Sequence, residues 1–122
     1  MRKIIVLLIL MISLAGCSQK TEDNEIKQIS CSEKDQLLKE KESTVLIDVR
    51  TEEEYKEKHL DKAINISYEN IVESLTENEK ITKNTPIIVY CKSGGRSSVA
   101  ADSLIKSGYK EVYDLGAISN CD

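Results

Sequence analysis

At 122 residues the chain has room for one folded domain. A formal net charge of −4 at pH 7 makes it a poor partner for nucleic acid, which calls for clustered basic residues. A single Pro, few aromatic residues and no repeat or low-complexity tract fit an ordinary small soluble domain.

The N-terminal stretch reads as an address and is set apart from the fold. Arg2 and Lys3 make a positive start, Ile4 to Leu14 is almost wholly apolar, and Leu14-Ala15-Gly16-Cys17 places small residues before a cysteine. The apolar run is shorter than the roughly 20 residues a spanning helix needs, which argues against a retained anchor helix. The layout resembles the signal and lipobox of exported bacterial lipoproteins. That resemblance implies removal of residues 1–16 and acylation of Cys17. The mature protein would then sit at the outer face of the cytoplasmic membrane, each buried acyl methylene contributing about 0.8 kcal/mol. Losing Arg2 and Lys3 makes the remainder more acidic. Residues 17–25 are polar and aperiodic, so they read as a tether. At ~3.3 Å per residue its reach is about 30 Å. Residues 26–122 are left for the domain.

From there strand-like and helical segments alternate, the pattern of an α/β domain on a mostly parallel sheet of about five strands. Glu25 to Ser30 is a short edge-strand candidate, and Ser32 is placed to cap a helix through Glu40, with Leu37 and Leu38 inward. Thr44 to Val49 is a continuous apolar run of strand length, expected for a strand covered on both faces. Thr51-Glu52-Glu53-Glu54 has the spacing of a capping box and opens a helix through Lys58. Ala63 to Ile66 is a short strand, and Ser67 is placed to cap a helix carrying Ile71, Val72 and Leu75. Pro86 to Tyr90 is the clearest strand, with Cys91 immediately after it. A helix from Ser97 onward carries Ala100, Ala101, Leu104 and Ile105 on one face, with Gly108 as its C′ residue. Glu111 to Leu115 is the last strand, followed by an irregular tail to Asp122.

The chemistry gathers at Cys91-Lys92-Ser93-Gly94-Gly95-Arg96. A strand ending in a cysteine, then a glycine-bearing loop, then a helix start puts sulfur above main-chain amides and a positive helix end, a place that favours thiolate. Lys92 and Arg96 are expected to lower the thiol pKa further and to attract an anion. Gly94 and Gly95 let the loop turn its amides inward. A buried cysteine with an ordinary turn after it is the plainer reading, but it does not account for two glycines and two cations in one loop.

At this point the chain resembles the rhodaneses. Cys91 to Ser98 looks like their active-site loop. Leu46-Ile47-Asp48-Val49-Arg50, Glu54-Tyr55, His59-Leu60 and Ala63-Ile64-Asn65-Ile66 match their upstream signature in order and spacing, and Gly108-Tyr109 through Ile118 matches their ending. Lys58 stands where that family often has Gly, Asp61-Lys62 replaces a common Pro-Gly, and Ala117 replaces a second Gly. The resemblance implies a three-layer domain with helices on both faces of the sheet. It also implies a sulfurtransferase needing no metal or organic cofactor; a monomer is expected. Cys91 would take sulfur from thiosulfate or a related anionic donor, hold it as a persulfide, and pass it to cyanide or a thiol. His59 then belongs to a structural signature, and Asp48 with Arg50 forms a buried anchor within reach of Glu54, with no base needed for an ionised thiol.

Two other readings stay open. A Cdc25-like cysteine phosphatase needs five residues between Cys and Arg to enclose phosphate, whereas Cys91 and Arg96 enclose four. A membrane-tethered persulfide carrier would keep Cys91 but turn over small donors poorly. Of the remaining cysteines, Cys31 follows the first strand and Cys121 the last. In rhodanese-like folds those strands lie side by side, so a Cys31–Cys121 disulfide is expected in an oxidising compartment, with two free thiols as the alternative.

Overall fold

The computed structural model describes residues 25–122. The expected signal (residues 1–16), the expected acylation site Cys17 and all but the end of the expected tether lie outside the described residues. Five strands are present: β1 (Ile26–Gln28), β2 (Val45–Asp48), β3 (Ile64–Asn65), β4 (Ile87–Cys91) and β5 (Val112–Ala117). Four helices run between them: α1 (Cys31–Glu40), α2 (Glu52–Glu57), α3 (Ile71–Glu77) and α4 (Gly95–Lys106). Among the described residues no helix is long and apolar enough to cross a membrane.

The strands form one parallel sheet in the order β1-β5-β4-β2-β3, so every connection is a crossover that carries a helix over one face. Period-two alternation sorts the side chains. Val45, Ile47 and Val49, with Ile87, Val89 and Cys91, face a layer made by Ile71 and Leu75 of α3 and Ala100, Ala101 and Leu104 of α4. Leu46, Ile88 and Tyr90 face the other way, onto Leu37 and Leu38 of α1 and Tyr55 of α2. All five residues of β4 are buried, as a central strand covered on both faces requires. The parallel α/β sheet is the one expected from the alternating pattern, and the three layers are those the rhodanese resemblance implies.

Several boundaries differ from the expectation, each for a local reason. Helix α1 is capped by Ser30 rather than Ser32: Ser30 Oγ accepts from Glu33 N at 3.1 Å, and Glu33 Oε1 accepts from Ser30 N at 3.0 Å. The capping-box geometry outweighs proximity to the first apolar residue. Ser67 does not cap α3; its hydroxyl accepts from Glu69 N within a turn, and the helix opens after Asn70 without a side-chain cap. The tail is not irregular but makes a short 3-10 turn at Ile118–Cys121. Helix α4 ends as expected, with Gly108 at φ +95°, its amide bonded to Ile105 O and that of Tyr109 to Leu104 O.

Cys31 and Cys121 are joined by a disulfide, their Cα atoms 5.2 Å apart. It ties the first residue of α1 to the last residue of the 3-10 turn, closing the chain ends across β1 and β5. A bulge in β5 skips Leu115: Val89 faces Asp114 and Tyr90 faces Gly116. The buried Asp114 carboxylate accepts from Gly116 N at 2.8 Å and so satisfies an amide the ladder loses.

Candidate functional site

Cys91 is the last residue of β4, at the carboxyl edge of the sheet, where loops of α/β domains gather. It is 1% exposed, so its sulfur is recessed from the surface. The turn after it depends on Gly94, whose φ of +99° is a conformation other residues adopt only under strain. That turn points the Gly94 amide at Cys91 Sγ, 2.9 Å away. Helix α4 begins at Gly95, two residues earlier than expected, because Gly94 supplies the left-handed cap; Gly95 itself needs no positive φ.

Burial pushes the Cys91 thiol up. The Ser97 hydroxyl and the amides of Ser97, Gly94 and Ser93 outweigh it, leaving the pKa below the ordinary thiol value. The hydroxyl of Ser97 donates to Gly94 O at 3.1 Å and also stands within reach of the sulfur; its one proton serves one acceptor at a time. Ser97 is fully buried; the sequence places it at a helix start and within the segment resembling the active-site loop, but gives no signal of its role as a donor.

The two loop cations sit in different surroundings, and Arg96 interacts with the Cys91 thiolate as expected. Lys92 is exposed. Arg96 turns to Glu54 of α2, with Nη1 donating to Oε1 at 2.6 Å and Nη2 to Oε2 at 3.0 Å. The hydrogen bond from Arg96 and the Thr51 cap hold the Glu54 carboxyl well below the usual range, at about 2, despite the desolvation opposing them. The thiolate is therefore favoured chiefly by hydrogen-bond donors and not by free cations beside it. Glu54 was read as a capping residue and a neighbour of Arg50; its position three residues after Thr51 was the only local signal, and its pairing across 42 residues left none.

Arg50 pairs with Asp48, the buried anchor expected from the sequence. Nη2 and Nε reach the carboxylate at 2.7 and 3.0 Å, and Nη2 also donates to Lys58 O at 2.6 Å. Both side chains are buried, and the pair anchors the segment leading from β2 to α2. His59 is exposed and stacks on Tyr55 at 3.8 Å, with Nδ1 lying 2.8 Å from Tyr55 O, so its ring closes the end of α2. Of the three turn positions that depart from the rhodanese pattern, only Lys62 is strained, at φ +67°; Lys58 is extended and Ala117 ordinary.

Residues 30–118 match the family described as Rhodanese-like domain. The chain belongs to the rhodanese-like domain family. It is 39% identical over 89 residues to the thiosulfate sulfurtransferase GlpE of Coxiella burnetii, covering 73% of this chain and 79% of that one. A rhodanese-like domain protein from Staphylococcus aureus superposes with a TM-score of 0.67 at 26% identity, over 80% of this chain and 92% of its own. A rhodanese from E. coli, solved with anions, gives 0.54 at 31% identity over 63% and 89%. Within this family the loop from Cys91 to Arg96 is the part of the chain whose geometry suits nucleophilic sulfur chemistry.

Proposed function

We propose that this rhodanese-like protein is a sulfurtransferase that moves sulfane sulfur from thiosulfate or a related donor to a thiophilic acceptor, cyanide or a thiol. The observation that carries the reading is the Gly94 amide aimed at Cys91 Sγ from the start of α4. In the first half-reaction the Cys91 thiolate attacks the outer sulfur of thiosulfate. The new S–S bond forms as the old one breaks, and sulfite leaves with its electron pair. The resulting persulfide keeps one negative charge, within reach of the donors that favoured the thiolate. In the second half-reaction the acceptor attacks the terminal sulfur and restores the thiolate. A sulfur recessed at the base of the loop favours donors with a slender projecting sulfur atom.

Steady-state assay with thiosulfate and cyanide tests this, with ping-pong kinetics expected. Cys91→Ser should remove turnover while leaving the fold intact, and a serine variant of undiminished activity would overturn the reading. We further propose that the protein works as a lipoprotein, acylated at Cys17 and held at the outer face of the membrane; the support is the run Leu14-Ala15-Gly16-Cys17. Cys17→Ala should move the protein from the membrane fraction to the soluble one with its turnover retained, and a variant that still sediments with membranes contradicts the anchor.

A further inference from the structure

Arg96 is a permanent cation in the loop around Cys91, yet both of its terminal nitrogens are engaged by Glu54. The Glu54 carboxylate is itself fixed: its Oε1 accepts from Thr51 Oγ1 at 3.1 Å and Thr51 N at 3.4 Å. The two side chains are 30% and 26% exposed, so water screens the pair only in part. Lys92, the other loop cation, is exposed, so water screens its charge more than that of the partly buried Arg96. Glu54 therefore offsets much of the positive charge that the loop sequence suggests, although Arg96 still interacts with the Cys91 thiolate.

We infer that Glu54 is a positioning residue that sets the donor charge this site accepts: by holding Arg96 in a bidentate pair it weakens the loop's attraction for dianions. The inference rests on the sulfurtransferase reading and deepens it. The substrate class it names is singly charged sulfane donors, such as organic persulfides and thiosulfonates, in preference to doubly charged inorganic thiosulfate. The covalent chemistry is the same for both. A thiosulfonate gives up its outer sulfur to the Cys91 thiolate and leaves as a sulfinate, just as thiosulfate leaves as sulfite, with charge conserved in each case.

The test compares thiosulfate with methanethiosulfonate as donors for the full-length protein and for Glu54→Gln, which keeps the size and the cap acceptor but loses the charge. Freed from its partner, Arg96 should raise kcat/KM for thiosulfate about three- to tenfold, mainly through KM, and that for methanethiosulfonate by less. The gain should shrink at high salt. It should vanish when Arg96→Gln is added to Glu54→Gln. A purely structural role predicts the opposite sign, so an equal loss with both donors overturns the inference. Should Glu54→Gln prove unfolded, Arg96→Gln alone decides the matter: the uncompensated Glu54 must raise KM for thiosulfate more than for methanethiosulfonate, and equal changes overturn the idea. Wild-type protein that forms no persulfide from either donor overturns the sulfurtransferase reading, and the inference with it.

Discussion

The amide of Gly94 donates to the sulfur of Cys91 at 2.9 Å, three residues along the same loop, and this contact exists only because Gly94 sits at φ +99°. An added Cβ would find ordinary space, with Gly116 Cα at 3.9 Å, so the backbone conformation and not crowding makes glycine necessary here. Gly94→Ala should therefore cost about 1–2 kcal/mol in stability and swing the amide away from the sulfur. Denaturant melts and the ultraviolet absorbance of the thiolate would register both changes, and a variant matching wild type in both would mean that the amide does not stabilise the thiolate.

The pH dependence of the first half-reaction follows from the same donors. Cys91 has its pKa lowered in the folded state, so persulfide formation should rise through a midpoint below that of an ordinary thiol. The linked stability is complete above the unfolded thiol pKa and is lost as pH falls through the folded value. Ser97→Ala removes the hydroxyl donor and should move the midpoint upward. A titration of stopped-flow rates on both proteins checks this; coincident midpoints would assign the effect to the main chain alone.

Lys62 is the one residue other than glycine at positive φ among the described residues. The left-handed region costs an ordinary residue about 1–2 kcal/mol, offset in part by the greater unfolded-state freedom of glycine. Lys62→Gly should stabilise the fold by about 0.5–1 kcal/mol in urea melts without changing turnover. A destabilised variant would show that the lysine side chain makes up the strain.

The disulfide between Cys31 and Cys121 spans 90 residues of chain, and closing such a loop contributes up to ~4 kcal/mol in the chain-entropy model. In denatured but unreduced protein, of the cysteines among the described residues only Cys91 should take up alkylating reagent. Reduction should lower the denaturation midpoint. Labelling of Cys31 and Cys121 before reduction would contradict the pairing.

What was legible in the sequence follows the range of the interaction. The buried strands announced themselves as apolar runs, Val45 to Asp48 and Ile87 to Cys91, because a strand covered on both faces has no polar alternation to hide it. The capping box at Thr51 and Glu54 was readable because both partners lie within one turn. Ser30 was missed because three serine and cysteine residues compete for one cap, and the choice depends on which one Glu33 can reach. The loop was recognisable as a site from its composition, but the partner that engages Arg96 was not. Glu54 reaches Arg96 only once α2 and α4 are brought together by the sheet, and no local pattern records that meeting. The β5 bulge at Leu115 is invisible for a similar reason, being a matter of register between strands.

The central claim is that Cys91 carries the transferred sulfur. Peptide mass spectrometry of the protein after incubation with thiosulfate alone, without acceptor, tests it most directly. The account predicts one added sulfur atom on the peptide that contains Cys91, removed by cyanide and absent from Cys91→Ser. A wild-type Cys91 peptide that remains unmodified, or added sulfur found on Cys31 or Cys121 instead, would contradict it.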